Sequence, residues 1–223
     1  MSPTGKRPNP ITALVVVGVV AALVGGIIGW AIGRSTSPNN LSSEGRNQME
    51  SYQGRVDQSL GGIIQPLGEG ESQSFLAFAE LLADAGAFRD GKLEPEGFKG
   101  TAQNTVAAAQ EARSTLETIP LADMIDTLPS ELGTQVGFVT LQLLDSLSMF
   151  EQAANLYMMA ADAEASGDLT SSEALLVLAD QARGLADSNF KDAFTEYSVA
   201  LKAAGLTPTW EGEAAGAVPI GGS

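Results

Sequence analysis

From residue 47 onward, apolar positions recur at helical spacing almost without interruption. Met49, Tyr52, Val56, Leu60 and Ile63 mark a first helix, which Gly61 and Gly62 weaken and Pro66 ends. Phe75, Phe78, Leu82 and Ala85 mark a second. Phe98, Ala102, Thr105, Ala109, Ala112, Leu116 and Ile119 alternate by fours and threes, which gives a third helix stopped by Pro120. A short piece, Leu121 to Leu128, lies between two prolines. No segment shows the alternating β-branched pattern of a strand.

Two long elements follow. The first runs from about Ser130 to Ala165, with Leu132, Val136, Val139, Leu143, Leu147, Phe150, Ala154 and Tyr157 on one face. The second runs from about Ser171 to Ala204 and is expected to face the core through Leu175, Leu178, Ala182, Leu185, Phe190, Ala193, Tyr197 and Leu201. Gly205 and Pro208 close it. Two helices of equal length joined by a few residues form an antiparallel hairpin, against which the shorter helices pack. The predicted class is all-α, an up-and-down bundle over residues 47–205 dominated by that hairpin. Residues 206–223, rich in Gly, Ala and Pro, are expected to be a disordered tail with Trp210 as its docking point.

The N-terminal part has a different pattern. Ile11 to Ile32 carry no charge, and at about 1.5 Å per residue they span roughly 33 Å, enough for a bilayer core. Asn9 caps such a helix and Pro10 suits its first position. The run exceeds the apolar stretch of a cleaved signal peptide, so residues 11–33 are expected to be an uncleaved transmembrane helix. Lys6 and Arg7 in the 1–10 tail, against Arg34 alone on the far side, place the N-terminus in the cytoplasm and the rest outside the cell membrane. Residues 34–46 read as a linker. Gly18, Ala22, Gly25, Gly29 and Gly33 fall within an arc of about 80°, a groove over which another transmembrane helix packs closely.

Charge sharpens this division. All 27 acidic residues follow Arg34, with 9 basic ones, so that part carries −18. Between Arg113 and Arg183 there is no basic residue. Such a surface repels nucleic acid and anionic headgroups and favours a basic protein partner or divalent cations. The chain has no cysteine and no histidine. That removes disulfides, thiolate and imidazole metal sites, and any nucleophile activated by histidine.

One stretch carries candidate chemistry. Asp162 to Glu173 places oxygen-bearing residues at the spacing of a calcium loop: Asp162, Glu164, Ser166, Asp168 through its carbonyl, Thr170 and Glu173, with Gly167 at the sharp turn and Leu169 after it. These twelve residues resemble an EF-hand loop, although Glu164 is longer than that position usually takes. The resemblance implies Ca2+ as a cofactor. Gly86 to Gly97 holds Asp90, Gly91 and Leu93 at matching positions but lacks the first and last acids. The same letters also read as a helix–turn–helix joint, with Gly167 closing one helix and Thr170 and Glu173 forming a capping box for the next. Met149, Met158 and Met159, and the pair Asp123 and Asp126, are weaker signals of metal or carboxylate chemistry.

No nucleophile, base and orienting partner are tied together by the sequence, and the protein is expected not to be an enzyme. The expected role is an accessory or scaffold subunit of a larger membrane complex, docked through its glycine groove on integral membrane proteins or on a second copy. The other expectation is an extracytoplasmic binding module, responsive to calcium through residues 162–173.

Overall fold

The computed structural model describes residues 41–67 and 74–209. Six helices and one short ribbon make up this part: α1 (Ser43–Leu60), β1 (Ile64–Leu67), β2 (Ser74–Ala77), α2 (Ala79–Arg89), α3 (Pro95–Glu117), α4 (Leu121–Thr127), α5 (Ser130–Ala165) and α6 (Leu169–Ala203). Among these described residues no helix is long and apolar enough to cross a membrane. The segment 11–33, its packing residues Gly18, Ala22, Gly25, Gly29 and Gly33, the 1–10 tail and most of the 34–46 linker lie outside the described residues. The helical bundle expected for the rest is present.

Inter-helix hydrogen bonds fix the directions. Ser59 donates to the Ala112 carbonyl and Arg55 to the Thr118 carbonyl, so α1 and α3 are antiparallel. Lys99 meets Asp162 while Gln110 and Arg113 meet Glu151, so α3 and α5 are antiparallel too. Asp84 accepts from Thr101 and Phe88 stacks on Phe98, which runs α2 antiparallel to α3. With α6 returning along α5, the bundle has four positions, up-down-up-down. α1 and α2 share the first position end to end, and α4 spans the gap between α3 and α5.

The core divides along the bundle. Met49, Tyr52, Val56 and Leu60 join Leu116, Met124, the first half of α5 and the last half of α6. Leu81, Ala85, Phe88, Phe98 and Ala102 join the second half of α5 and the first half of α6. Phe78 packs against both clusters, its ring 4.9 Å from that of Phe150. It does so with φ +53, left-handed backbone that an aromatic residue rarely adopts. The N–H of Phe78 bonds the Ile63 carbonyl and so closes the ribbon on itself.

That ribbon corrects the pattern-based reading. Ile64–Leu67 pairs antiparallel with Ser74–Ala77, with Pro66 opposite Phe75. The helix expected from Phe75 therefore starts only at Ala79. An isolated two-stranded pair is marginal alone, and proline is tolerated because both strands are edges. The ribbon fills the break between the two stacked helices.

α5 and α6 are 36 and 35 residues long, about 54 Å at 1.5 Å per residue, and share the most extensive helix contact. Ala179, Ala186, Ala193 and Ala200 stand seven apart on α6 and each is fully buried. A seven-residue repeat keeps one row turned toward its partner, and alanine there lets the backbones come close. Ala153, Ala154, Ala160 and Ala161 of α5 are buried as well.

The core face of α6 also differs from expectation. Leu178 and Leu185 are about half exposed, and Leu176, Ala179 and Ala186 are buried instead. The first half of α6 has two apolar rows at helical spacing, and the alanine row wins because it admits the closer approach. Beyond α6, residues 206–209 are ordered rather than a free tail. Leu206 packs on the core, Pro208 is buried, and Gln53 donates to the Thr207 carbonyl at 2.8 Å. Residues 210–223, with Trp210, lie outside the described residues.

Backbones come close where α4 meets α5. A Cβ on Gly133 would lie 3.0 Å from the Ile125 Cα and 3.1 Å from its carbonyl oxygen. Gly133→Ala is expected to destabilise the protein by about 1–3 kcal/mol, because backbone must move. Gly86→Ala, on an exposed helix position with nothing within 4 Å of the new methyl, is expected to stabilise it by about 0.5–1 kcal/mol. Thermal denaturation of the two variants checks both signs.

Candidate functional site

The residues with calcium-loop spacing build a helix joint. α5 continues through Ala165 and α6 begins at Leu169, so only three residues, Ser166 to Asp168, separate the helices. Gly167 has φ +84, which a side chain would oppose, and its N–H bonds the Glu164 carbonyl while that of Asp168 bonds the Ala163 carbonyl. These paired bonds are the helix-ending arrangement that satisfies the last carbonyls of α5. Asp168 then caps α6, accepting from the Ser171 N–H at 3.1 Å. The cap is therefore Asp168 rather than Thr170, and hydrogen bonding from the Ser171 side chain, joined by its N–H, holds the Asp168 carboxyl below its usual range.

The other members are turned to separate partners. Asp162 is paired with Lys99 of α3 at 2.6 Å. Glu164 accepts from the Ser172 hydroxyl at 3.3 Å, and Ser166 donates to the Ala163 carbonyl. Thr170 and Glu173 are exposed on α6. Among the described residues no three acidic side chains come together in a way that holds a metal ion. In the second, weaker stretch, Asp90 pairs with Lys92 and Gly91, at φ +64, ends α2.

The methionines do not converge. Met149 accepts from Asn189 across the hairpin at 3.7 Å, Met158 packs on the core cluster around Phe88 and Phe98, and Met159 is exposed. Asp123 lies on the rim of a small open depression between α1 and α4, with Gln48, Ser51 and Arg55. Arg55 there is already bonded to the carbonyl and hydroxyl of Thr118.

The buried polar groups join helices through partners distant in sequence, which no local pattern marks. The fully buried large side chains include three tyrosines, each of which joins two helices. Thr140 donates to the Val136 carbonyl, so the Tyr52 hydroxyl donates to Thr140 and ties α1 to α5. Tyr157 of α5 donates to Asp180 of α6 at 2.5 Å, and Arg89 of α2 closes on the same carboxylate. Tyr197 of α6 donates to Asp57 of α1 at 3.0 Å, and Thr209 reaches the other oxygen of Asp57. Burial pushes all three phenols up, Tyr157 to about 12. The adjacent carboxylates of Asp180 and Asp57 push Tyr157 and Tyr197 further in that direction. A neutral phenol donating to a carboxylate is a positioning contact, and the raised phenols keep their protons at any physiological pH.

On the outside, the first half of α6 exposes four large apolar side chains among polar ones. Leu169, Val177, Leu178 and Leu185 are exposed by 61, 56, 49 and 51%. The chain matches no family model, no curated protein and no solved structure.

One largely buried ion pair is expected to make the domain sensitive to pH. Arg183 and Asp187 of α6 meet at 2.5 Å with side chains only 15 and 20% exposed. Burial raises the Asp187 carboxyl to about 6, against the opposing pull of Arg183. A carboxyl whose folded value is raised contributes stability that is complete below its unfolded value, near 4, and is lost as pH rises through about 6. The protein is expected to gain about 2 kcal/mol between pH 7 and pH 4.5 from this group. Asp187→Asn should flatten that dependence in melts taken across the interval; an unchanged slope would contradict the assignment.

Proposed function

We propose that the protein is a non-catalytic accessory subunit of a larger membrane assembly, held by residues 11–33 and carrying an acidic helical bundle outside the cytoplasm. The observation that supports this best is how the buried titratable groups are used. The buried tyrosines, with the carboxylates and the arginine they reach, each connect helices, so the polar chemistry of the interior is spent on holding a shape. A fixed spacer with an acid-rich surface suits a subunit that extends or covers a neighbour. The five small residues Gly18, Ala22, Gly25, Gly29 and Gly33 supply the groove for close contact within the bilayer.

Gentle-detergent affinity purification from native membranes, read by mass spectrometry, tests this. A defined membrane complex is expected to accompany the wild type and to be lost with Gly25→Ile/Gly29→Ile. Recovery of the protein alone from both preparations would contradict the proposal.

A further inference from the structure

The outer side of α6 carries a second seam that nothing in the described bundle covers. Ala174, Leu178, Gln181, Leu185 and Ser188 follow one another by four, three, four and three residues, and all five are exposed. At 100° per residue they fall within an arc of about 80°, with Val177 on its flank. This is the repeat by which one helix seats another, here left facing solvent on a chain whose surface is otherwise rich in acids. Exposed apolar residues standing singly need no explanation, but here Leu178, Leu185 and flanking Val177 gather on one face, with Gln181 and Ser188 as the polar members of the row. Across the hairpin, the Met149–Asn189 and Glu164–Ser172 bonds set a register that brings Met159, 55% exposed, level with Leu178.

The charges around the row select the occupant. Glu173 and Asp192 on α6, and Asp145 on α5 level with Lys191, are exposed and form no ion pair among the described residues. Arg183, the first basic residue after Arg113, is turned into its pair with Asp187. Lys191 shares the azimuth of Glu173, roughly 100° from the centre of the row, and is one base against these three acids. A second copy would bring another −18 against this surface, and anionic lipid would meet acids instead of bases.

We propose that this face docks a helix of a partner protein, one that presents an apolar stripe at three- and four-residue spacing flanked by lysine or arginine. The partner's apolar side chains fill the row between Ala174 and Ser188, and its basic flanks meet Glu173, Asp192 and Asp145. Gln181, polar in the middle of the row, sets the register. The proposal rests on reading the protein as a subunit that binds other proteins, and it adds the surface and the chemistry of its partner.

Site-specific photo-cross-linking of the whole chain in native membranes tests it, with p-benzoylphenylalanine at Leu178, at Leu185 and, as a control, at exposed Gln103 of α3. Positions 178 and 185 are expected to cross-link to one segment of another protein, with helical apolar spacing and basic flanks, and position 103 is not. Glu173→Lys/Asp192→Lys should reduce that product roughly tenfold while leaving the melting temperature unchanged. Absence of a cross-link would overturn the proposal. So would cross-links to a second copy, to lipid or to residues 210–223 of the same chain, a segment without basic flanks, or indifference to the charge reversals. Cross-links that survive Gly25→Ile/Gly29→Ile would uphold this surface while the docking role of residues 11–33 fails. A complex that co-purifies without any cross-link would do the reverse.

Discussion

Close packing of α6 on α5 over small side chains is the constraint on which the remaining structure depends. Ala179, Ala186, Ala193 and Ala200 give α6 a narrow edge along most of its length. The three-residue joint at Ser166 to Asp168 forces the two helices to return at once, and Gly167 and Asp168 satisfy the backbone groups that such a short joint would leave unpaired. Larger side chains, among them Leu176, Phe190, Phe194, Tyr197 and Leu201, are thereby turned toward the other helices. α1 and α2 can then be short and stacked, because each needs only to cover half of an already formed hairpin. Phe78 accepts left-handed backbone because it must fill the junction of the two core clusters.

Polar ties fix the details that apolar packing leaves loose. A hydroxyl buried without a partner costs far more than a satisfied one contributes, so each tyrosine admits few helix placements. The pairing of Tyr197 with Asp57 also explains why the chain beyond α6 stays on the bundle: Gln53 and Asp57 of α1 hold Thr207 and Thr209. Most ion pairs lie nearer the surface and contribute little individually. Nine bases against 27 acids leave many carboxylates unpaired, and the outer face inherits that excess.

Much of the bundle was legible because its apolar rows have one solution. The limits of α5, and the core positions of α1, α3 and α5, follow from periodicity between clear stops at proline and glycine. The face of α6 was not legible in its first half, where two rows compete and only the partner's alanines decide between them. Four alanines at seven-residue spacing were the available signal, masked by the larger leucines beside them. The ribbon was hidden because its eight residues hold a proline and lack alternation, and their pairing arises from the gap between α1 and α2. The stretch from Asp162 to Glu173 shows how one set of letters serves two chemistries. Oxygen ligands around a glycine turn are also what an abrupt helix reversal needs, and Lys99, distant in sequence, occupies Asp162.

The hairpin is expected to be the last element to open. Native-state hydrogen exchange on the whole protein measures this directly. Amides of Val139–Tyr157 and Ala179–Ala200 are expected to exchange only through global unfolding, at the free energy found by denaturant, with α2 and the ribbon opening earlier. If α5 and α6 exchanged through a lower-energy opening than α1 and α3, the hairpin would be a late addition to the bundle and not the part that organises it.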